Sequence, residues 1–214
     1  VCSFHAVEKI FFEDESVFSL PKFTQAFYAK GKYYTIEYEP ASRWEYDQTQ
    51  KPPMMNCYDA KTREVIFQDK EIGTNVEKFN FTAFRFVAAY DETTNKTYLI
   101  QEGDLDWSTF TIERKVWALD METFDMEIVG DASRNDDPQA TNKGLFIQSM
   151  FMTANHELFG IDYNSGDLHR ISVDGSMETH NLGHLEGIPS GHFWSSLSGA
   201  YTDPSTGITY ITSV

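Results

Sequence analysis

The stretch "DASRNDDPQATN", residues 131–142, places Asp131, Ser133, Asn135 and Asp137 at alternate positions. Carboxylate, hydroxyl and carboxamide oxygens offered from a short loop are what a hard cation such as calcium requires. Asp136 and Asn142 stand where an EF-hand has its glycine and its last acidic ligand. The pattern therefore predicts either a calcium loop of another design or a polar connection without an ion. Calcium is the one cofactor that the residues suggest. A second grouping, His180, His184 and His192 in "HNLGHLEGIPSGH", has imidazoles that could meet at a metal. The intervening Gly and Pro predict a solvated connecting loop instead of one ligand-bearing face. Asp104 and Asp106 in "EGDLDW" form a carboxylate pair of the kind used for calcium or for acid and base work, although an acidic chain also makes such pairs by accident.

Familiar nucleophile signatures are missing. Ser195-Ser196-Leu197-Ser198-Gly199 lacks the first glycine of a G-x-S-x-G elbow, and the sequence has no H-E-x-x-H, no C-x-x-C and no glycine-rich phosphate loop. Enzymes that carry those signatures are disfavoured; an active site gathered from several loops is not. Aromatic pairs remain: Trp44 with Tyr46, Trp107 with Phe110, and Phe193 with Trp194 could stack on sugars or anchor a protein. Trp44 and Tyr46 belong to a long polar insertion that ends at Lys51-Pro52-Pro53, so they are the expected partner-binding pair. The other aromatics are expected to fill space between packed sheets.

The 214 residues, 41% of them hydrophobic, can bury a substantial core in one large domain or two small ones. A net charge of −16 repels nucleic acid and anionic membrane surfaces and attracts cations or basic partners. No apolar run approaches the roughly 18 to 20 residues of a membrane helix. Cys2 and Cys57 are the only cysteines; an even pair predicts one disulfide closing a loop of about 55 residues, with two buried thiols as the alternative. The sequons Asn80-Phe81-Thr82 and Asn95-Lys96-Thr97 predict N-glycosylation at Asn80 and Asn95. Asn95 is expected in a polar turn where a glycan clashes with nothing. A chain starting at Val1 without Met fits a mature secreted product, and the expected location is extracellular.

The elements that must position these residues read as strands. Aromatics make up 15% of the chain, β-branched residues alternate with polar ones in stretches such as "KYYTIEY" (32–38), and no window sustains a helical period. A short helix is conceivable only near Asn75 to Phe79. "FYAKGKYYTIE" (27–37), "AAYDETTNKTYLIQ" (88–101), "MFMTANHELFGID" (150–162) and "GAYTDPSTGITYITS" (199–213) share a small or apolar lead strand, a polar turn and a second strand anchored by Tyr34, Tyr98, Phe159 or Tyr210. A second hairpin follows the first three, in "CYDAKTREVIF" (57–67), "ALDMETFDMEIVG" (118–130) and "GIDYNSGDLHRISV" (160–173). There Asp59 with Thr62, Asp120 with Thr123, and Asp162 with Ser165 fit turns in which the Asp side chain caps backbone amides.

A period of about 50 to 60 residues carrying two hairpins is what a four-stranded blade requires. At the level of pattern the chain resembles β-propeller repeat proteins, and "ELFGIDYNSGDLHRISVDG" is similar to a strand–turn–strand phrase shared by several propeller superfamilies. The resemblance implies an all-β, β-propeller-like fold with about four blade-sized repeats over residues 23–214. Residues 1–22, with candidate strands from Phe4 to Phe12 and Ser16 to Leu20, would complete the last blade. A fragment of a longer propeller, or a β-sandwich or barrel, would share the same strand statistics. The function implied is a secreted binding or scaffold protein that recognises an extracellular protein or glycan through propeller loops, with self-association bridged by divalent cations. The alternative is a metal-dependent, calcium-type hydrolase or lactonase-like propeller whose cation sits at the axis, held by Asp, Glu and Asn from several blades.

Overall fold

Strong two-residue alternation makes strands, and polar turns between them make neighbours antiparallel. The computed structural model describes residues 25–37, 53–76, 87–106, 108, 111–133, 144–162, 165–185, 197–203 and 205–213, and no helix occurs among them. Thr74 and Asn75, at the place where a short helix was conceivable, form a turn. The first sheet is β1 (Gln25–Ala29), β2 (Lys32–Glu37), β3 (Met54–Asp59) and β4 (Val65–Glu71). The second is β5 (Val87–Asp91), β6 (Lys96–Asp106), β7 (Thr111–Asp120) and β8 (Met126–Asp131). A third follows, β9 (Ile147–Met152), β10 (Leu158–Asp162), β11 (Asp167–Ile171) and β12 (Thr179–His184). The last two strands, β13 (Leu197–Thr202) and β14 (Thr209–Ser213), pair as a hairpin.

Each four-stranded sheet runs in chain order and is antiparallel throughout. Among the described residues the strands form four separate sheets, in place of the single closed sheet of a barrel or the two sheets of a sandwich. The expected hairpins are present, with one shift of phase. Residues 160–173, expected as the last hairpin of the third unit, are β10 and β11, the middle of its sheet. The closing hairpin is β11–β12, turned at Asp174, Gly175 and Ser176, where Gly175 adopts the left-handed backbone (φ 84).

The first strands of the sheets stand next to one another: β1 packs on β5, β5 on β9 and β9 on β13. Behind them the sheets stack face to face, and side-chain alternation divides the core into layers. Leu99, Trp117 and Leu119 of the second sheet meet Tyr34, Ile36 and Met55 of the first. Their neighbours Tyr98, Ile100, Val116 and Ala118 turn the opposite way and meet Ile147 and Met150 of the third. Phe151, Phe159 and Ile161 of the third sheet continue the stack toward Ala200 and Ile211 of the last hairpin. The second sheet is therefore buried on both faces, each large side chain contributing about 1.5–3 kcal/mol. Three of the four aromatic anchors, Tyr34, Tyr98 and Phe159, are buried in these layers, whereas Tyr210 is 47% exposed.

Candidate functional site

Where four inner strands converge, the chain brings alanines to the meeting point. Ala26 and Ala29 of β1, Ala88 and Ala89 of β5, and Ala200 of β13 border a cavity of about 640 Å³ that β9 completes. This explains the small lead strands in the sequence. The volume lies within the range of roughly 300–1,000 Å³ typical of ligand sites. Aromatic surface is supplied by Phe27, Tyr28, Tyr90 and Phe151, and polar groups by the turns at the rim.

Ser149 is 1% exposed, and its hydroxyl has no hydrogen-bond partner. It lies on β9, opposite Ile161 of β10. At the rim, the β5–β6 turn of the second sheet meets the β9–β10 turn of the third. Asp91, 3% exposed, accepts the Thr93 N–H at Oδ1 (3.0 Å) and the Thr94 hydroxyl at Oδ2 (2.9 Å). The same Oδ1 lies 3.0 Å from His156 Nδ1, and His156 Nε2 lies 3.0 Å from Thr93 Oγ1. His156 is held in the left-handed region (φ 61) by a turn in which its N–H donates to the Thr153 carbonyl.

A smaller crevice of about 290 Å³ opens between the first and second sheets beside Lys30, Tyr90 and Asn95. Asn95 is half-buried there, and its Oδ1 accepts hydrogen bonds from the Tyr90 hydroxyl (2.9 Å) and Lys30 Nζ (3.2 Å). The residue is in a turn, as expected. Thr97 of the same sequon is fully buried and donates to Met121 Sδ.

The other expected site residues are dispersed. Asp131 Oδ1 accepts the Ser133 hydroxyl, and Oδ2 pairs with Lys115 Nζ at 3.1 Å. A lysine therefore stands where the expected calcium loop begins; Asn135 and Asp137 lie outside the described residues. His180 and His184 are on a strand, β12, and not in a connecting loop; both are exposed, 3.4 Å from Glu178 and 3.5 Å from Asp167 respectively. His192 lies outside the described residues, as do Trp44, Tyr46, Asn80, Cys2 and residues 1–22. Asp104 and Asp106 fall on β6, the first within and the second just beyond an irregularity between Glu102 and Leu105 in its pairing with β7. Cys57 is a free thiol, fully buried on β3 opposite Tyr34, and no disulfide forms among the described residues. Burial raises the Cys57 thiol above its ordinary pKa, with Tyr34 as its hydrogen-bond partner. Burial likewise raises the Tyr34 hydroxyl, with the charge of a Cys57 thiolate adding to the effect. Neither group is disposed to ionise. Among the described residues no three His, Cys, Asp or Glu side chains converge as a metal site, and no helix is long and apolar enough to cross a membrane.

Sequence reasoning missed Ser149, Asp91, Thr93 and His156. One signal was present: Asp91 and Thr94 repeat the spacing of Asp59 with Thr62.

No protein-family model and no curated protein matches the chain. Parts of solved structures align with it. An exo-beta-1,3-galactanase from Clostridium thermocellum aligns with a TM-score of 0.47 and 9% identity over 73% of this chain and 35% of that one. A luciferin-regenerating enzyme aligns with a TM-score of 0.42 and 12% identity over 86% and 50%. A hypothetical selenium-binding protein from Sulfolobus tokodaii aligns with a TM-score of 0.37 and 12% identity over 79% and 40%. The chain thus spans half or less of the length of each.

Proposed function

We propose that the protein is a secreted, N-glycosylated recognition module of β-propeller architecture that takes the end of a neutral extracellular glycan into its axial cavity. The observation that carries this reading is the cavity of about 640 Å³ where the inner strands of the sheets meet, with aromatic faces on its wall and polar turns at its rim. Tyr28, Tyr90 and Phe151 offer faces on which a sugar ring can stack. The charge of −16 disfavours acidic glycans, which leaves neutral ones. Secretion and glycosylation are supported by the sequons at Asn80 and Asn95.

Titration calorimetry with a panel of neutral oligosaccharides tests the reading. A member of the panel is expected to bind, and Tyr28→Ala is expected to weaken it about tenfold by removing a stacking face. The same variant should leave the thermal midpoint of the free protein little changed, because Tyr28 is 47% exposed. Affinity indifferent to Tyr28→Ala, or no binding by any neutral oligosaccharide, overturns it.

A further inference from the structure

The rim of the cavity joins a hydroxyl, an imidazole and a buried carboxylate in one line. Asp91 is buried beneath the turn and, as a carboxylate, has no proton to donate. His156 Nδ1, 3.0 Å from it, must therefore carry the hydrogen. In the neutral imidazole this leaves the lone pair on Nε2, and the group 3.0 Å from Nε2 is the Thr93 hydroxyl, which becomes the donor. Nucleophilic acyl transfer needs this order: a hydroxyl in reach of a base, and a base oriented by a third group. Both reactive residues are accessible, Thr93 being exposed and His156 half-exposed. They come from different sheets and border the same cavity.

We propose that Thr93 is an acyl acceptor, and that the protein hydrolyses carboxylic esters of small alcohols or phenols through an acyl-Thr93 intermediate. Thr93 Oγ1 bonds to the ester carbonyl carbon while its proton passes to His156 Nε2. The bond from that carbon to the alcohol oxygen then breaks, and the leaving alcohol takes the proton from Nε2. Water next attacks the acyl-Thr93 carbonyl carbon and gives a proton to Nε2; the Thr93 oxygen leaves with that proton, and the carboxylic acid is released. Thr93 and His156 are the catalytic residues. Asp91 is a positioning residue that holds Nδ1–H and, by accepting the Thr93 N–H, the turn on which Thr93 sits.

The probe is p-nitrophenyl acetate, mixed with the whole chain and followed by nitrophenolate release and by mass analysis of quenched protein. One acetyl group is expected on the peptide that contains Thr93, with a burst of nitrophenolate close to one per chain. Thr93→Val and His156→Gln are each expected to lower the rate and the labelling about 100-fold or more, whereas Thr93→Ser keeps both. Asp91→Asn should lower kcat with KM little changed. Far-UV circular dichroism reports whether each variant folds; Thr93→Ser and His156→Gln at exposed positions keep the test open if Thr93→Val does not. Acetyl groups confined to lysines, or a rate unaltered in both Thr93→Val and His156→Gln, overturns the proposal and leaves the three residues as a clasp between two sheets. Oligosaccharide binding does not enter this readout, so the two proposals stand or fall separately.

Discussion

Asp59, Asp91, Asp120, Asp162 and Asp203 each begin a turn with Thr or Ser three residues on and a left-handed residue one further: Arg63 (φ 65), Asn95 (φ 55), Phe124 (φ 67), Gly166 (φ 71) and Gly207 (φ 70). Left-handed backbone is unfavourable for a bulky residue such as Phe124. The turn compensates by tying the chain at several points. Asp120 Oδ1 accepts the N–H groups of Glu122 (2.8 Å) and Thr123 (3.0 Å), while Thr123 Oγ1 accepts the Asp125 N–H (3.3 Å). The Phe124 N–H closes the turn on the Asp120 carbonyl at 2.9 Å. These donors hold carboxyl groups below the usual range: the Thr62 N–H acts first on Asp59, the Thr123 N–H on Asp120, and the Ser205 hydroxyl on Asp203. A lowered folded-state pKa gives stability that is present above the ordinary carboxylate value of about 4 and is lost as pH falls through the folded value. Urea denaturation of the wild type between pH 6 and pH 2.5 should therefore show a falling midpoint below about pH 4. Asp120→Asn should start lower at pH 6 and fall less steeply. Parallel curves for the two proteins would count against turn carboxylates as the source.

Strands in this chain are specified by which layer each side chain enters. In β10, Leu158 packs toward the second sheet and Phe159 toward the last hairpin, with Ile161 on the same side as Phe159. Gly160 lies between them, on the side of Leu158, because β9 and β11 press against it. A Cβ there would stand 2.8 Å from Ile147 Cγ2 and 3.2 Å from Ile171 Cδ1. Glycine in a strand interior ordinarily weakens it, and here close packing requires it. Gly160→Ala is expected to destabilise the protein by about 1–3 kcal/mol, the usual range for overpacking. Thermal denaturation beside Gly175→Ala checks whether the cause is packing: at Gly175 the added Cβ meets nothing within 4 Å and the penalty is one of backbone conformation alone (φ +84). A stability for Gly160→Ala equal to that of the wild type would remove the close approach as an explanation.

Across the molecule, protection from solvent is graded from the middle of the stack outward. The second sheet has a neighbour on each face, whereas β4 and β12 are outer strands whose residues are nearly all exposed. Opening of a strand is cheapest where little apolar surface is buried. Amide hydrogen exchange should therefore be slowest in β6 and β7 around Tyr98–Ile100 and Val116–Leu119, and fastest in β4 and β12. Equal protection of β12 and β7 would contradict the layered core. The same stack positions the functional residues, since Asp91 and Thr93 reach His156 only because β5 packs on β9.

Local pattern was enough for most of the hairpins and for the turn chemistry, but not for β12, whose His180 and His184 are expected in a loop. Alternation and Asp-x-x-Thr spacing act between residues close in the chain, so Lys32 to Glu37 or Asp120 to Phe124 announce their own structure. The phase of the third unit was not legible, because the Asp162 turn carries the same local signal as Asp59 and Asp120 while occupying the middle of its sheet. Pattern also missed the site. Asp91 and His156 are 65 residues apart, in turns whose residues are individually ordinary, and no local preference registers that two sheets will stack and bring them together. The alanines of the lead strands were visible as small residues, but their role as the wall of a cavity depends on four strands meeting. Ser149, too, is an unremarked serine until long-range packing buries its hydroxyl without a partner.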